Sequence, residues 1–567
     1  MLASEFLKSE LEKLVKKNLP EAKLGDFSVS VSERPEFGDY TTNLAFVLAK
    51  QTKQSPFLVA EDTKKDLANL DKYFSKIEVK NGYINFFLSP DFLLKILETS
   101  PEKLLKAKKK KRVIIDYSSP NIGKQLSIAH IRSTIIGDAL ARIYGFLGWQ
   151  VISDNHLGDW GMLAGRLIAA YKKYSKTSLA KLTIEQMNQL YVKFTGSEKD
   201  NPELTESAKQ ETVKLQNQDK ENLAIWKALL KNSIKEFEKH YQLLGIRKFD
   251  YYHGESFYQK IAEKLVNDFQ KKGWAESSQG AVIIDLADKS LPALMIQKSD
   301  QAFLYATNDL ATIIYREKQF KPDLVLYVVA NEQALYFEQL FTAVKKFNLA
   351  PKTKLVHVKF GMLLGQDKKK LSTRSGRSIL LEEVLGQAIS RAKKIAKHKN
   401  PELSEKRLNK IARIVGINAA KYNDLCQNRN TDIVFDWDKM LSLEGNSGPY
   451  LQYTYVRLSN ILRRARFRKI KLAKKDLTLF SEDETAILRK LVQFPEAVKQ
   501  SAEEYLPNLI ASYVFELANL ANSFYEKYPV LKAERKLRKA RLILVFKVAE
   551  TIKTCLSLFG IEVLDRI

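Results

Sequence analysis

Between Tyr117 and His130 the chain reads YSSPNIGKQLSIAH, and several of these side chains could handle phosphate. Asn121, Lys124, Ser127 and His130 offer an amide, a cation, a hydroxyl and an imidazole just ahead of a helix start. Backbone N–H groups point outward there, and the helix dipole favours anions. The spacing is not that of a G-x-x-x-x-G-K-[ST] loop. A lone histidine at a helix start also serves as a cap, so these residues by themselves leave phosphate binding and capping both open. A second candidate region lies near the C-terminal end. Tyr450, Tyr453 and Tyr455 precede Arg457, Arg463, Arg464, Arg466, Arg468, Lys469 and Lys471. Cations with neighbouring aromatics suit an unstacked, single-stranded nucleic-acid loop such as an anticodon. The same pattern describes a packed tyrosine stripe beside a solvated basic face. Both are expected, some tyrosines packing and a minority stacking on bases.

The elements around the first loop have a βαβ pattern. Val113–Asp116 is a short apolar strand, and the polar loop Tyr117–Ser127 follows. Ile131, Ile135, Ile136, Leu140, Ile143 and Leu147 then mark one face of a helix, with Gly148 at its end and Val151 and Ile152 opening the next strand. A βαβ unit implies a parallel sheet covered by helices, whose ligands sit at the carboxyl ends of the strands. Further buried strands are expected at 324–329 and 355–360. A polar, helical insertion is expected at about 165–245, packed beside the sheet. The first 105 residues read as a small α/β domain: an amphipathic helix, strand-like runs at 27–32 and 83–88, and a turn at Gly82. Lys106–Arg112 (KAKKKKR) reads as a basic linker. Beyond about Lys394 the chain is rich in helix formers without an evident strand, which predicts a helical C-terminal domain.

At 567 residues the chain is too long for one core and suggests several domains. Its 93 Lys and Arg against 66 Asp and Glu give a net charge of +27, which favours a polyanionic partner, nucleic acid ahead of a membrane surface. The two cysteines, Cys426 and Cys555, form no metal-ligand spacing and suit a reducing compartment. The opening MLASEFLKSELEKL lacks the apolar core of a signal peptide, and no run is long and apolar enough to span a bilayer. A cytoplasmic location is expected.

The stretch SSPNIGKQLSIAHIRSTIIGDAL, residues 118–140, closely resembles the first conserved block of arginyl-tRNA synthetases, with SIAH standing where class I synthetases carry the HIGH motif. Other blocks agree in order: PEFGDYTTNLAF (35–46), NGYINFFL (81–88), NHLGDWG (155–161), YHGES (252–256), YATNDLA (305–311), KKLSTRSG (369–376) and QNRNTDIVFDWDKMLSLEGNSGPYLQYTYVR (427–457). The resemblance runs nearly end to end. It implies a Rossmann-type catalytic domain over 106–390 with the helical insertion, preceded by an α/β tRNA-binding domain over 1–105 and followed by an all-α anticodon-binding domain over 391–567. It implies an ATP-dependent arginine–tRNA ligase, with tRNA, arginine and ATP as partners, Mg²⁺ bound with ATP rather than at a dedicated protein site, and a monomer.

The resemblance also implies roles. His130, the last residue of SIAH, should contact the ATP phosphates, and Lys124 matches a lysine just upstream of that motif. Lys370-Leu-Ser-Thr-Arg374 resembles KMSKS loosely, so Lys370 and Arg374 should close over the leaving pyrophosphate. Ser127, Ala129, His130 and Lys370 form the ATP side. Glu255 and Asp309 should hold the guanidinium, with Tyr305 beside them; two carboxylates and an aromatic face suit a planar cation. Asn121 and Gln333 match positions that hold the α-amino and carboxylate groups. Tyr450, Gln452, Arg457 and Arg463 should meet the tRNA. There are departures from the family pattern: Ser127 and Ala129 replace the first histidine and the glycine of HIGH, Thr373 replaces a KMSKS lysine, and Met162-Leu-Ala-Gly165 stands where the family has TQFG. Asn308 stands in place of an arginine, and Asn331 and Glu332 precede Gln333. They leave room for a catalytically weakened tRNA-binding paralogue, or for a synthetase of another amino acid. The retained carboxylate pair disfavours the last.

Overall fold

The computed structural model describes residues 2–25, 27–32, 34–67, 70–105, 110–299, 303–365, 367 and 379–564. The first domain opens with helix α1 (Ala3–Asn18), which buries Leu7, Leu11 and Val15. It packs with an antiparallel sheet of order β1-β2-β4-β3, formed by Val29–Val31, Tyr40–Thr42, Phe74–Lys80 (β3) and Tyr83–Leu88 (β4). Gly82 turns β3 into β4 at φ +82°, where a residue with a Cβ is strained.

The parallel sheet has the order β11-β10-β5-β6: Lys354–His357, Leu324–Tyr327, Arg112–Asp116 and Gln150–Asp154. Side chains alternate along each strand, and the two faces feed two cores. Val113, Ile115, Leu324 and Leu326 join the core that also contains helix α2 (Ile128–Phe146). Ile114, Ile152, Val325 and Tyr327 join a second core. That second core is closed by α7 (Gln259–Lys271), α8 (Tyr305–Phe320) and α9 (Ala334–Lys346). It also contains residues of a three-stranded antiparallel sheet, β7 (Glu276–Ser278), β8 (Ala281–Ile284) and β9 (Leu294–Gln297), which sequence reading missed.

Strands β10 and β11 end earlier than their apolar runs suggest. Val328, Val358 and Phe360 are buried beneath the loops beyond the strand ends, so their hydrophobicity does not mark strand. Helices α3 (Gly161–Tyr174), α4 (Ile184–Glu198), α5 (Pro202–Gln216) and α6 (Lys220–Leu243) follow β6. Ala169, Ala170, Phe194, Leu204 and Ala208 give them a small core of their own.

The C-terminal part contains α10 (Leu381–Lys399), α11 (Glu405–Leu425), α12 (Gly448–Arg464), α13 (Glu482–Val492), α14 (Phe494–Glu503), α15 (Asn508–Lys527) and α16 (Arg535–Leu558). It is helical, as the sequence leads one to expect, apart from one two-residue bridge. Ile433–Val434 (β13) pairs in parallel with Leu363–Leu364 (β12), a bridge too short to leave a pattern. Buried Lys421 of α11 donates to the carbonyls of Leu244 and Gly560, each at 2.8 Å, tying this region to the end of α6. The first domain docks against α13 and α14 through Ser4–Glu496, Lys499–Glu5 and Arg489–Asp39. No helix among the described residues is long and apolar enough to cross a membrane.

Candidate active site and nucleic-acid groove

The loop after β5 is held in an unusual conformation. Ser118 and Ser119 both have positive φ, +73° and +46°, a region that serine seldom enters. The surroundings hold both serines in place. Ser118 N–H donates to Ser133 Oγ at 2.9 Å, and its hydroxyl lies 2.7 Å from Tyr241 Oη of α6. Ser119 N–H donates to Asn155 Oδ1 at 3.0 Å. Sequence reading missed Tyr241 and Asn155; two serines before a proline were the only local signal.

Three loops then join side by side beyond the strand ends. Ile122 N–H donates to Gly158 O at 3.1 Å, Gly158 N–H to Pro120 O at 3.2 Å, and Glu255 N–H to Leu157 O at 3.0 Å. A Cβ on Gly158 would lie 1.9 Å from Asn121 Oδ1, so the glycine is what lets Asn121 sit there. A Cβ on Gly254 would likewise strike the Asp159 carboxylate, 2.5 Å away. Asp159 accepts from Ser256 Oγ at 2.6 Å and Ser256 N–H at 2.9 Å, which fixes the turn bearing Glu255. The NHLGDWG block thus supplies a carboxylate that sequence reading had not nominated.

Helix α8 presents Tyr305, 72% exposed, on its first turn and Asp309 one turn further on. Asp309 accepts a hydrogen bond from the Tyr336 hydroxyl of α9. Asn308 does not face solvent: it is buried, and its Oδ1 accepts from Gln259 Nε2 at 3.2 Å. The same Gln259 group donates to Glu255 O at 2.9 Å, so Asn308 supports the Glu255 turn. Gln333 is exposed at the start of α9, in the turn that follows Ala330. Burial, with Asp159 and Asp309 adding repulsion, pushes the Glu255 carboxyl up to about 8. Burial also raises Asp309 and Asp159, opposed by His156 and, respectively, by Tyr336 and Ser256. At neutral pH Glu255 in this arrangement keeps a proton that an arriving cation can displace.

On the phosphate side, Ser127 is the residue before α2. Its N–H donates to His130 Nδ1 at 3.1 Å, and its hydroxyl lies 3.0 Å from the same nitrogen. The imidazole is therefore both a cap and a directed donor: with Nδ1 accepting, the proton belongs on Nε2. Burial lowers its affinity for a second proton, with Lys124 adding to the effect. The Ser127 hydroxyl is engaged with His130 in this arrangement. Ala129 is exposed at the helix start. Lys124 is half-buried, its ammonium 4.5 Å from the centre of the Tyr191 ring of α4. Lys370 and Arg374 lie outside the described residues.

The C-terminal candidates separate by burial. Tyr455 is buried in the core. The Tyr450 hydroxyl is bound by Asn519 and Asn522 at 2.7 and 2.9 Å. Gln452 is fully buried: Nε2 donates to Glu562 O at 2.6 Å and Oε1 accepts from Leu564 N–H at 3.1 Å. Both amide ends thus hold the chain's last described residues, while Gln452 also lines the groove that contains Arg457. Arg457 lies between the rings of Tyr453 and Tyr525, 4.6 and 4.7 Å from their centres. It lines a groove of about 610 Å³ with Lys399, Asn460 and Arg464. Arg463 is exposed and donates to Asn460 Oδ1 at 2.7 Å.

A family model described as "tRNA synthetases class I (R), catalytic domain" matches residues 93–437. "Arginyl tRNA synthetase N terminal domain" matches 4–88, and "DALR anticodon binding domain" matches 451–567. The arginine–tRNA ligase of Halothermothrix orenii is 38% identical over 548 residues, covering 95% of each chain. That of Fusobacterium nucleatum is 37% identical over 574 residues, covering 100% of both. The crystal structure of arginyl-tRNA synthetase from Plasmodium falciparum superposes with a TM-score of 0.85 at 26% identity, covering 100% of this chain and 99% of that one. With the catalytic-domain model spanning more than half of the sequence and relatives matched over nearly their whole length, the chain belongs to the arginyl branch of the class I tRNA synthetases.

Proposed function

We infer that this chain is an ATP-dependent arginine–tRNA ligase. It activates arginine as arginyl-adenylate and transfers it to the 3′-terminal adenosine of tRNA(Arg). The observation that carries the reading is the meeting of Glu255 and Asp309, beside Tyr305, with the Asn121–His130 loop at the carboxyl ends of one parallel sheet.

The arginine guanidinium enters between Glu255 and Asp309 and displaces the proton that Glu255 otherwise keeps, which leaves to solvent. Tyr305 covers its face. Asn121 and Gln333 hold the amino and carboxylate ends, aligning a carboxylate oxygen with the α-phosphorus of ATP. That oxygen bonds to phosphorus as the bond to the bridging oxygen breaks and pyrophosphate leaves. The protein stabilises the charge that develops, through Lys124, the His130 Nε2–H donor, and Lys370 and Arg374. Ser127 orients His130, and Ala129 borders the adenine. Mg²⁺ accompanies ATP on its phosphates.

The domains run over 1–105, 106–390 and 391–567. The first and last grip the tRNA; in the last, Tyr450, Tyr453, Arg457 and Arg463 face the anticodon stem and loop. The enzyme works as a cytoplasmic monomer. Lysine lacks the guanidinium fork and would leave a carboxylate unpaired, so discrimination of about 10⁴ is available from binding alone. The test is aminoacylation of purified tRNA with ATP and each amino acid in turn. Arginine alone should be charged, and failure with tRNA from the protein's own source would overturn the reading.

A further inference from the structure

We infer that Arg132 is a positioning residue for adenylate formation: clasped by Asp424, it registers the helix that presents His130 against the helical half of the molecule. The inference rests on the functional reading above. Arg132 stands on α2, two residues past His130, and is 1% exposed. Its Nε donates to Asp424 Oδ2 of α11 at 2.9 Å. Nη1 donates to Gly361 O and, at 3.2 Å, to Thr431 O; Nη2 donates to Arg429 O at 3.4 Å. The guanidinium also lies 5.6 Å from the centre of the Phe360 ring.

One side chain therefore joins α2, the segment after β11, the 428–432 loop and α11. The junction has no slack. A Cβ on Gly361 would come within 2.5 Å of Thr431 O, and Met362 N–H donates to Asp432 Oδ1 at 2.7 Å. The start of α2 is held from a second direction as well: Ile128 N–H donates to Ile379 O, and Leu381 N–H donates to Leu126 O, each at 2.9 Å. Gly361 and Ile379 flank, in the chain, the stretch that contains Lys370 and Arg374. The two anchors thus set the SIAH helix against both flanks of that stretch.

A buried ion pair is a poor device for stability, because apolar side chains of similar volume do as well or better. Its distinct property is geometric. A planar fork reaches several acceptors in one fixed arrangement, which a lysine ammonium cannot reproduce. Placement within a fraction of an ångström matters for a reaction that depends on aligned donors.

The test compares Arg132→Lys, Asp424→Asn and the double variant in the full-length chain. Adenylate formation is read by pyrophosphate exchange at saturating tRNA, with KM for arginine, tRNA Kd and melting temperature measured alongside. The expected result is a kcat about 10–100-fold lower per folded molecule. KM for arginine and tRNA Kd should stay within about threefold, and the double variant should be no worse than the worse single one, as for groups acting as a unit. A kcat within about twofold of wild type, or losses that simply add, would overturn the clasp. Should Arg132→Lys fold poorly, the shape-conserving Asp424→Asn decides by the same criteria. An inactive wild type would sink the functional reading instead; an active wild type with an unimpaired Arg132→Lys sinks only the clasp.

Discussion

The arginine pocket and the C-terminal groove solve opposite problems with the same chemical parts. In the pocket as proposed above, carboxylates and a tyrosine are fixed in the protein, and the guanidinium would arrive with the substrate. In the groove, a guanidinium, Arg457, is already held between Tyr453 and Tyr525, and a planar base is what arrives. The pocket's two acids are largely enclosed and raised, although Tyr305 beside them is exposed, so contacts to the carboxyls are strong when made and costly when lost. The groove is open, with Tyr453 and Tyr525 both 41% exposed, so its electrostatics are screened by salt. Burial, rather than residue type, sets how each region should respond to change.

The sharpest way to break this contrast is to neutralise one pocket acid without changing its shape. Glu255→Gln and Asp309→Asn each leave a bound guanidinium short of charge, and kcat/KM for arginine should fall about 10²–10³-fold in pyrophosphate exchange. Binding of tRNA should be unaffected. Loss of tRNA affinity instead would mean these carboxylates hold the fold together.

Lys124 tests the phosphate end of the same site. Lys124→Ala should slow single-turnover adenylate formation about 10²–10³-fold, the typical effect of deleting a preorganised donor. Tyr191→Leu removes only the ring that holds the lysine and should cost far less. A Lys124→Ala enzyme within a few-fold of wild type would show that other groups hold the phosphates.

The pocket should also respond to pH in a defined direction. In the free protein Glu255 keeps its proton up to about pH 8, whereas the arginine complex needs the carboxylate. Below that pH, binding must expel a proton. Affinity for arginine should therefore rise by up to about tenfold per pH unit towards pH 8 and then level off. Calorimetry in buffers of different ionisation enthalpy should detect proton release at pH 7. Flat affinity between pH 6.5 and 8.5 would remove the proton-holding pocket from the account.

The smallest effects belong to the groove. Arg457→Ala should weaken tRNA binding about tenfold or a little more, the range for losing a stacking partner. Arg463→Ala should mainly lower the salt dependence, by about one unit of slope. A tRNA affinity indifferent to salt would contradict a screened, phosphate-reading surface.

Local pattern made some of this legible and long-range contact hid the rest. The βαβ unit around Tyr117–His130 stood out because its signal is contiguous, whereas Glu255 and Asp309 were nominated only by the resemblance to the arginyl family. Asp159 was not nominated, since its part depends on Ser256 and Gly254 arriving from another loop. Gln452 looked like a surface residue in a tRNA-facing block, but its partners are more than a hundred positions away. The left-handed pair Ser118–Ser119 becomes explicable only once Tyr241 and Asn155 surround it. Arg316 shows the same limit: it reads as one more cation, yet it is buried between Asp116 and Asp154, at 2.7 and 3.0 Å, where β5 and β6 end.

The division of the parallel sheet into two cores has a consequence for breathing motions. Tyr305 and Asp309 are carried by α8, a helix of one core, while Asn121 and the SIAH helix belong with the other. The proposed amino-acid site thus straddles the boundary between the two cores. In the proposed complex, arginine spans that boundary, from the guanidinium pocket on one side to Asn121 on the other. Its binding should protect amides in both cores at once in hydrogen exchange.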